Sequence, residues 1–285
     1  EGAVWIDGDL QRAADARISV FDRGFLYGDS AFEVMRTYGK RPFSERAHLD
    51  RLRNSCERLV IPCALGNAEL SDIIARTIAA SQLPECYVRV MVTRGVGPMN
   101  IDLAGANQPS VLVFALPLKP LAAEVYEQGV AVGLSHAARA TDGTRAAGAK
   151  TSNYLGSILA LHEVKQRGCH EALILGPSGA VIEGATSNVF IVHKGTLVTP
   201  PVEAGILVGI TRQTVLELAV GLGLAVAESP LYPTDLFQAE EVFITSTVRE
   251  VVPVVRVDDS IVGNGKPGPV TNRVRSAYCA FAQRA

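Results

Sequence analysis

A stop signal at Pro117-Leu-Lys-Pro120 closes two runs rich in β-branched residues, 86–93 and 110–118, and divides the chain. Proline cannot donate to a strand ladder, so a strand that reaches this segment ends there. The expectation is a small N-terminal domain over residues 1–118, a linker over 119–128 and a larger C-terminal domain over 129–285. A length of 285 residues suits two domains at the usual ~150 residues each.

On the N-terminal side, Val4-Trp-Ile6 and the residues after Asp7-Gly8 read as a hairpin, because Asp-Gly supplies the positive φ angles of a two-residue turn. Leu49, Leu52, Cys56 and Leu59 recur at helical spacing, as do Leu70, Ile73, Ile74, Thr77 and Ile78, and predict two helices. On the C-terminal side, 172–175 and 180–182 flank Gly176-Pro-Ser-Gly179 as a second hairpin, and a strand follows over 188–192. Helical periodicity returns over 154–164, over 210–222, and at Val270, Val274, Ala277, Tyr278 and Phe281. Strands and helices mix without a strict βαβ rhythm, which reads as an α+β chain of two domains.

Charge and cysteine usage narrow the function. The 27 basic and 29 acidic residues are interspersed and give a net charge of −2, so the basic footprint of a nucleic-acid binder is absent and small molecules are the expected partners. No apolar stretch approaches the roughly 20 residues of a membrane span, and no membrane partner is expected. Cys56, Cys63, Cys86, Cys169 and Cys279 are scattered and odd in number, which argues against a disulfide framework and fits a reducing, cytoplasmic compartment. No charged-then-apolar leader opens the sequence. The five histidines form no metal-binding pattern, so no metal is expected, and the missing Walker and dinucleotide glycine patterns disfavour ATP or NAD chemistry.

Several residues could carry chemistry. Lys150 lies in Arg145-Ala-Ala-Gly-Ala-Lys-Thr-Ser-Asn-Tyr154, among small residues and just before a predicted helix. A cation at a helix N-terminus meets the positive end of the macrodipole, and partial desolvation acts in the same direction, so both favour the neutral amine that attacks an aldehyde. The same context suits a solvated lysine beside a loop. Glu183 ends an apolar run and precedes Gly184-Ala-Thr-Ser-Asn188, where a carboxylate needs a cationic partner or solvent. Gly209-Ile-Thr-Arg212 opens a periodic helix and Thr245-Ser-Thr247 closes an apolar strand; backbone N–H groups and hydroxyls there could hold a phosphate, or could simply cap a helix and end a strand. Arg51 faces away from the apolar stripe of its helix, as a solvated arginine would.

Taken in order, Phe21-Asp-Arg-Gly-Phe-Leu-Tyr-Gly-Asp-Ser-Ala-Phe-Glu33, His48-Leu-Asp-Arg-Leu52, Lys150-Thr-Ser-Asn153, 183–188, 209–212 and 245–247 resemble the fold-type IV family of pyridoxal-phosphate enzymes. That family includes branched-chain and D-amino-acid aminotransferases, (R)-selective amine transaminases and aminodeoxychorismate lyases, and the resemblance runs nearly end to end. It implies a small N-terminal α/β domain, a larger C-terminal domain with a mixed, barrel-like sheet, pyridoxal 5'-phosphate as cofactor, and a homodimer or higher homo-oligomer whose active sites lie between domains and against a partner subunit. By the same resemblance Lys150 carries the cofactor as a Schiff base and acts as the catalytic base, and Glu183 pairs with the pyridine nitrogen. Arg51, Gly209, Ile210, Thr211, Ser246 and Thr247 hold the phosphate. Tyr154 resembles the tyrosine that bonds the ring hydroxyl in branched-chain enzymes, although it lies four residues after the lysine where five is the family spacing.

Substrate recognition is implied at Tyr27, Phe32, Arg36, Tyr87, Arg89 and Val248. Tyr87-Val-Arg89 alternates so that its tyrosine and arginine share one strand face. An apolar pocket with an arginine for a second carboxylate suits branched-chain L-amino acids exchanging with a keto acid such as 2-oxoglutarate. Two features depart from the branched-chain pattern: Val34 stands where glycine is usual, and Thr93-Arg-Gly95 resembles the segment that carries a carboxylate-binding arginine in D-amino-acid enzymes. Arg94 is therefore a candidate trap for a D-amino acid, and a D-amino-acid or (R)-amine transaminase is the alternative. A lyase is less expected, because Glu33 stands where the lyases tend to carry threonine. A binding protein that had lost the chemistry would lack Lys150 or Glu183.

Overall fold

The structure, a computed structural model, describes residues 2–63, 65–136 and 143–284. The chain forms two compact units. The first runs to Lys119 and also takes Gly143–Asn153; the second takes the chain from Pro120 and Tyr154–Arg284. The sequence reading assigns everything after residue 128 to the C-terminal domain, whereas the segment carrying Lys150 packs with the first unit.

In the first unit β1 (Ala3–Ile6) turns through Asp7-Gly8 into β2 (Asp9–Arg12), with φ +46° and +110° at the two turn residues, as the Asp-Gly pair predicts. A short helix α1 (Arg23–Tyr27) is capped by the Asp22 carboxylate, which accepts from the Gly24 N–H at 2.7 Å, and ends at Gly28 with φ +68°. Then come β3 (Ser30–Tyr38), β4 (Arg41–Pro42), α2 (Glu45–Arg58), α3 (Asn67–Ser81), β5 (Cys86–Thr93) and β6 (Ser110–Pro117). The strands form one antiparallel sheet ordered β2-β1-β6-β5-β3-β4. Alternation sorts its residues cleanly. Ala31, Met35, Val88, Val90, Val92 and Val113 face a core shared with Leu49 and Leu52 of α2 and Leu70 and Ile74 of α3. Each large side chain so buried contributes about 1.5–3 kcal/mol. Phe32 pairs with Met91, Val34 with Arg89 and Arg36 with Tyr87, which puts these six on the opposite face.

The second unit contains α4 (Ala123–Gln128), β7 (Val130–Ser135), α5 (Leu155–Gln166), β8 (Glu171–Leu175), β9 (Val181–Gly184), β10 (Asn188–His193), β11 (Thr196–Thr199), α6 (Ile210–Gly221), β12 (Ala225–Glu228), α7 (Pro233–Phe237), β13 (Glu241–Ser246), β14 (Glu250–Val257), β15 (Ser260–Ile261) and α8 (Pro269–Ala282). Its sheet follows the path β12-β11-β10-β13-β14-β7-β8-β9, with β15 on β14. The β11–β12, β14–β7 and β7–β8 pairs are parallel and the other pairs antiparallel, so this is the expected mixed sheet, curled as a half-barrel. The hairpin predicted around Gly176-Pro-Ser-Gly179 joins β8 and β9. Strand β14 carries Pro253 in mid-course, and its pairing with β7 begins only at Val254, past the residue that has no N–H to give. Val132, Leu173, Val189, Ile191, Ile244 and Val252 make the core. No helix among the described residues is long and apolar enough to cross a membrane.

Candidate active site

Within the first unit, Lys150 lies in an extended segment laid along β3. Its carbonyl accepts from the Phe32 N–H at 3.0 Å, its own N–H donates to Ser55 Oγ of α2 at 3.1 Å, and Thr151 bridges to Ala31. Ser30 Oγ donates to Ser152 Oγ at 2.7 Å, and Asn153 Nδ2 donates to the Gly28 carbonyl at 3.4 Å. The lysine backbone is thus held from a helix and a strand at once. The sequence reading places Lys150 just before a helix, and α5 starts five residues on in the chain, at Leu155 with Tyr154 as its N-cap. What its amine meets is the Phe32 ring, whose centroid lies 4.7 Å from Nζ, while the Arg89 guanidinium lies 3.8 Å from the same centroid.

Beneath β3, Arg51 and His48 of α2 converge on Glu33. Arg51 Nε and Nη2 donate to the two carboxylate oxygens, each at 2.7 Å, and His48 Nδ1 lies 2.7 Å from Oε2. Glu33 and His48 are fully buried, and Arg51, whose helical position suggests a solvated side chain, is only 13% exposed because it reaches Glu33. Burial alone would raise the Glu33 pKa. The Arg51 charge and hydrogen bonds, with the His48 bond, overcome it and pull the pKa down to about 2. Burial pushes the His48 pKa down, against the pull of Glu33, and keeps the ring neutral.

Arg36, Tyr87 and Arg89 share their sheet face with Phe32, and the Arg36 guanidinium stacks 4.4 Å from the Tyr38 ring centroid. Tyr27 ends α1, with the Arg23 guanidinium 5.2 Å from its ring centroid. Arg94 differs. It is 4% exposed, donates from Nε and Nη2 to the two Asp29 oxygens at 2.6 and 3.0 Å, and donates from Nη1 and Nη2 to the Val60 and Leu59 carbonyls at 2.7 and 2.8 Å. A guanidinium so engaged closes the turn after α2. The sequence reading offers Arg94 as a carboxylate trap; the carboxylate that its guanidinium holds here is that of Asp29.

In the second unit, Glu183 sits half-buried in β9, and its Oε2 accepts from the Leu207 N–H at 2.9 Å. Asn188, at the start of β10, donates from Nδ2 to the Leu207 carbonyl at 2.9 Å, so one residue of the loop before α6 is held through both its backbone groups. Gly209, the N-cap of α6, is pressed against Asn188: a Cβ there would lie 2.0 Å from Asn188 Oδ1. No side chain caps α6, which leaves its first N–H groups, from Ile210 and Thr211 onward, for another acceptor. Asn188 pairs with Thr245 of β13, which brings the 183–188 turn beside the three-residue turn Thr247-Val248-Arg249 that joins β13 to β14. Thr245 Oγ1 is buried without a protein partner. Tyr154 is half-buried at the head of α5.

An uncapped helix start, a glycine that must stay bare, and the hydroxyls of Thr211, Ser246 and Thr247 are donors of the kind that a phosphate-like anion takes. A primary amine on a held backbone in the first unit and, taken by itself, a half-buried carboxylate in the second are each of a kind that a phosphorylated pyridine aldehyde requires, so the residues present fit that cofactor. The sequence reading does not single out Glu171, Asn188 or Arg249, all of which bond within this region. A glutamate opening the apolar run Ala172-Leu-Ile-Leu175 is the available signal, since a carboxylate so placed must find a cation.

Comparison with known proteins identifies the family. The family model described as amino-transferase class IV matches residues 30–257. A branched-chain-amino-acid aminotransferase of Salmonella typhimurium is 35% identical over 281 residues, covering 96% of this chain and 91% of the relative. A D-alanine aminotransferase of Bacillus licheniformis is 31% identical, covering 96% and 95%. Among solved structures, the Escherichia coli branched-chain amino acid aminotransferase superposes with a TM-score of 0.94 at 34% identity, covering 99% of this chain and 95% of that one. Another branched-chain amino acid aminotransferase, solved with pyridoxamine 5'-phosphate, superposes with a TM-score of 0.92 at 30% identity, covering 99% and 94%. With the match spanning both units and the lysine, carboxylate and helix-start segments inside it, this chain belongs to the class IV aminotransferases, a family dependent on pyridoxal phosphate.

Proposed function

We propose that this aminotransferase exchanges the amino group of a branched-chain L-amino acid with a 2-keto acid such as 2-oxoglutarate, using pyridoxal 5'-phosphate bonded to Lys150. The observation that carries the substrate class is the sheet face bearing Phe32, Val34 and Tyr87 together with Arg36 and Arg89. Its apolar part suits a branched aliphatic side chain, and a guanidinium suits the second carboxylate of the acceptor. The similarity to branched-chain enzymes over nearly the whole chain supports the same class.

When bound, the cofactor supplies an electron-accepting ring that makes a substrate Cα proton removable. Lys150 would hold the cofactor through its Nζ, and the same amine, when free, would take the substrate Cα proton and return it. Glu183 would pair with the protonated pyridine nitrogen and favour the charged ring. The α6 N-terminus from Gly209 through Thr211, with Ser246, Thr247 and Arg51, binds the phosphate, and Tyr154 bonds the ring hydroxyl. Tyr27 and Val248 border the substrate. The enzyme works as a cytoplasmic homodimer, in which Phe25 and Ile101 of the first unit and Leu155 and Ile158 of the second, all exposed in the single chain, are covered. Sedimentation of the purified protein tests the dimer.

The absorption spectrum tests the chemistry. Protein with pyridoxal phosphate should show the visible band of a lysine-bound cofactor; borohydride should fix the cofactor mass on the Lys150 peptide, and Lys150→Ala should lack both signals. L-leucine should bleach the band, and 2-oxoglutarate should restore it. Bleaching by D-alanine but not L-leucine would transfer the enzyme to the class of the Bacillus licheniformis D-alanine aminotransferase, and bleaching by an (R)-amine alone would make it an (R)-amine transaminase. Pyruvate release from aminodeoxychorismate without a keto acid would make it a lyase. No band at all would overturn the role of Lys150.

A further inference from the structure

Arg249 lies in the turn between β13 and β14 and is engaged through its Nε and Nη2. Its Nε donates to Ser246 Oγ at 3.1 Å, and its Nη2 faces Thr186 Oγ1 at 2.7 Å, Glu171 Oε2 at 2.8 Å and the Thr186 carbonyl at 3.2 Å. Its own carbonyl accepts from the Tyr126 hydroxyl at 3.1 Å. Glu171 is fully buried at the start of β8. Its Oε2 also accepts from Thr186 Oγ1 at 2.7 Å and Ser187 Oγ at 3.3 Å, and its Oε1 accepts from the Ala172 N–H at 3.1 Å. Through Thr186 and Ser187, this ion pair ties the turn that follows Glu183 to Ser246 and the Thr247-Val248-Arg249 turn.

We propose that Glu171 and Arg249 are positioning residues for phosphate binding: the pair fixes the two turns against each other, and the Arg249 Nε–H, by occupying a lone pair of Ser246, directs the Ser246 hydroxyl proton outward as a donor to the phosphate. The inference rests on the reading that Ser246 binds the cofactor phosphate. The chemistry of the hydroxyl carries it. A serine oxygen free to accept or donate presents an anion with a lone pair part of the time, whereas one that already accepts from a guanidinium turns its proton to the remaining acceptor. Glu171 does the same to Thr186, whose Oγ1 accepts from Arg249 and donates to the carboxylate. Lysine at position 249 would keep the charge opposite Glu171 but could not supply both Nε and Nη2 contacts from one fork.

The test compares pyridoxal phosphate with unphosphorylated pyridoxal, titrated calorimetrically into the cofactor-free full-length protein. Arg249→Lys should weaken pyridoxal phosphate by about tenfold, the scale of a hydrogen bond to a charged group, and leave pyridoxal unchanged. Ser246→Ala should do the same, and the double variant should be no weaker than Ser246→Ala alone, because Arg249 acts through that hydroxyl. If Arg249→Lys fails to fold, the neutral pair Glu171→Gln with Arg249→Gln takes its place with the same expectation. An unchanged preference for the phosphorylated form in the Arg249 variant, or additive losses with Ser246→Ala, overturns the positioning role while the phosphate reading stands. A wild type that binds both forms equally, or a Ser246→Ala that loses nothing, removes the phosphate reading and the inference with it.

Discussion

Arg51 meets Glu33 side-on, Nε to Oε1 and Nη2 to Oε2 at 2.7 Å each, with the carboxylate wholly out of water and neutral His48 against its second oxygen. This two-point contact fixes the plane of the guanidinium and makes a buried charge tolerable. It also makes stability depend on pH in a defined direction.

The Glu33 pKa falls from 4.5 to about 2 on folding, so the unfolded chain takes up this proton first as pH drops. The stabilisation, about 3 kcal/mol from a shift of this size, is fully present above pH 4.5 and is lost as pH falls toward 2. Glu33→Gln should therefore lower the urea midpoint strongly at pH 7 and much less at pH 3. A deficit of equal size at both pH values would mean that the carboxylate is not held by Arg51 in solution.

Arg94 should behave as a structural residue. Arg94→Ala leaves Asp29, among the described residues, with the Arg23 contact at 3.2 Å and frees the Leu59 and Val60 carbonyls. A loss of about 3 kcal/mol in stability is expected, typical of breaking a buried pair. The ratio of rates with L-leucine and D-alanine should not change. Intact stability with an altered ratio would return Arg94 to the substrate.

Ser55 is the acceptor for the Lys150 N–H and is itself buried. Ser55→Ala leaves that N–H unpaired and loosens the lysine without removing it. The variant should fold, with a loss of about 1–3 kcal/mol, and a smaller fraction of its Lys150 peptide should carry the cofactor after borohydride reduction than in wild type at equal cofactor concentration. Full labelling would show that the β3 bond from Phe32 alone positions the lysine.

The elements with strong periodicity are legible in the sequence. The stripe through Leu49, Leu52 and Cys56 marks α2, and Asp7-Gly8 marks the first hairpin, because both signals are local. Strand β14 is not legible, since Pro253 within it argues against a strand unless one knows that its second neighbour joins only at Val254. The grouping of Gly143–Asn153 with the first unit is equally hidden: its pairing partners, Ser30 to Phe32 and Ser55, lie about a hundred residues away. Lys150 and Glu183 stand out through family resemblance, not local pattern. Arg51 and Arg94 show why arginines mislead, since spacing reports the face they leave from and their length decides the partner they reach.

The glycine at the α6 start offers the sharpest steric test. Gly209 has φ −67°, which any residue can adopt, so only space excludes a side chain there. A Cβ would lie 2.0 Å from Asn188 Oδ1 and 3.3 Å from the Arg212 Cβ. Asn188 cannot withdraw without losing its bond to the Leu207 carbonyl, and its backbone is fixed opposite Thr245. Gly209→Ala should therefore cost about 1–3 kcal/mol, the usual penalty of overpacking, and should weaken pyridoxal phosphate more than pyridoxal by turning the first N–H groups of α6. Adding Asn188→Ala should relieve the clash, so the double variant should be more stable than the sum of the two single losses predicts. Strict additivity in thermal denaturation would show that the alanine is accommodated by movement of the loop and not by contact with Asn188.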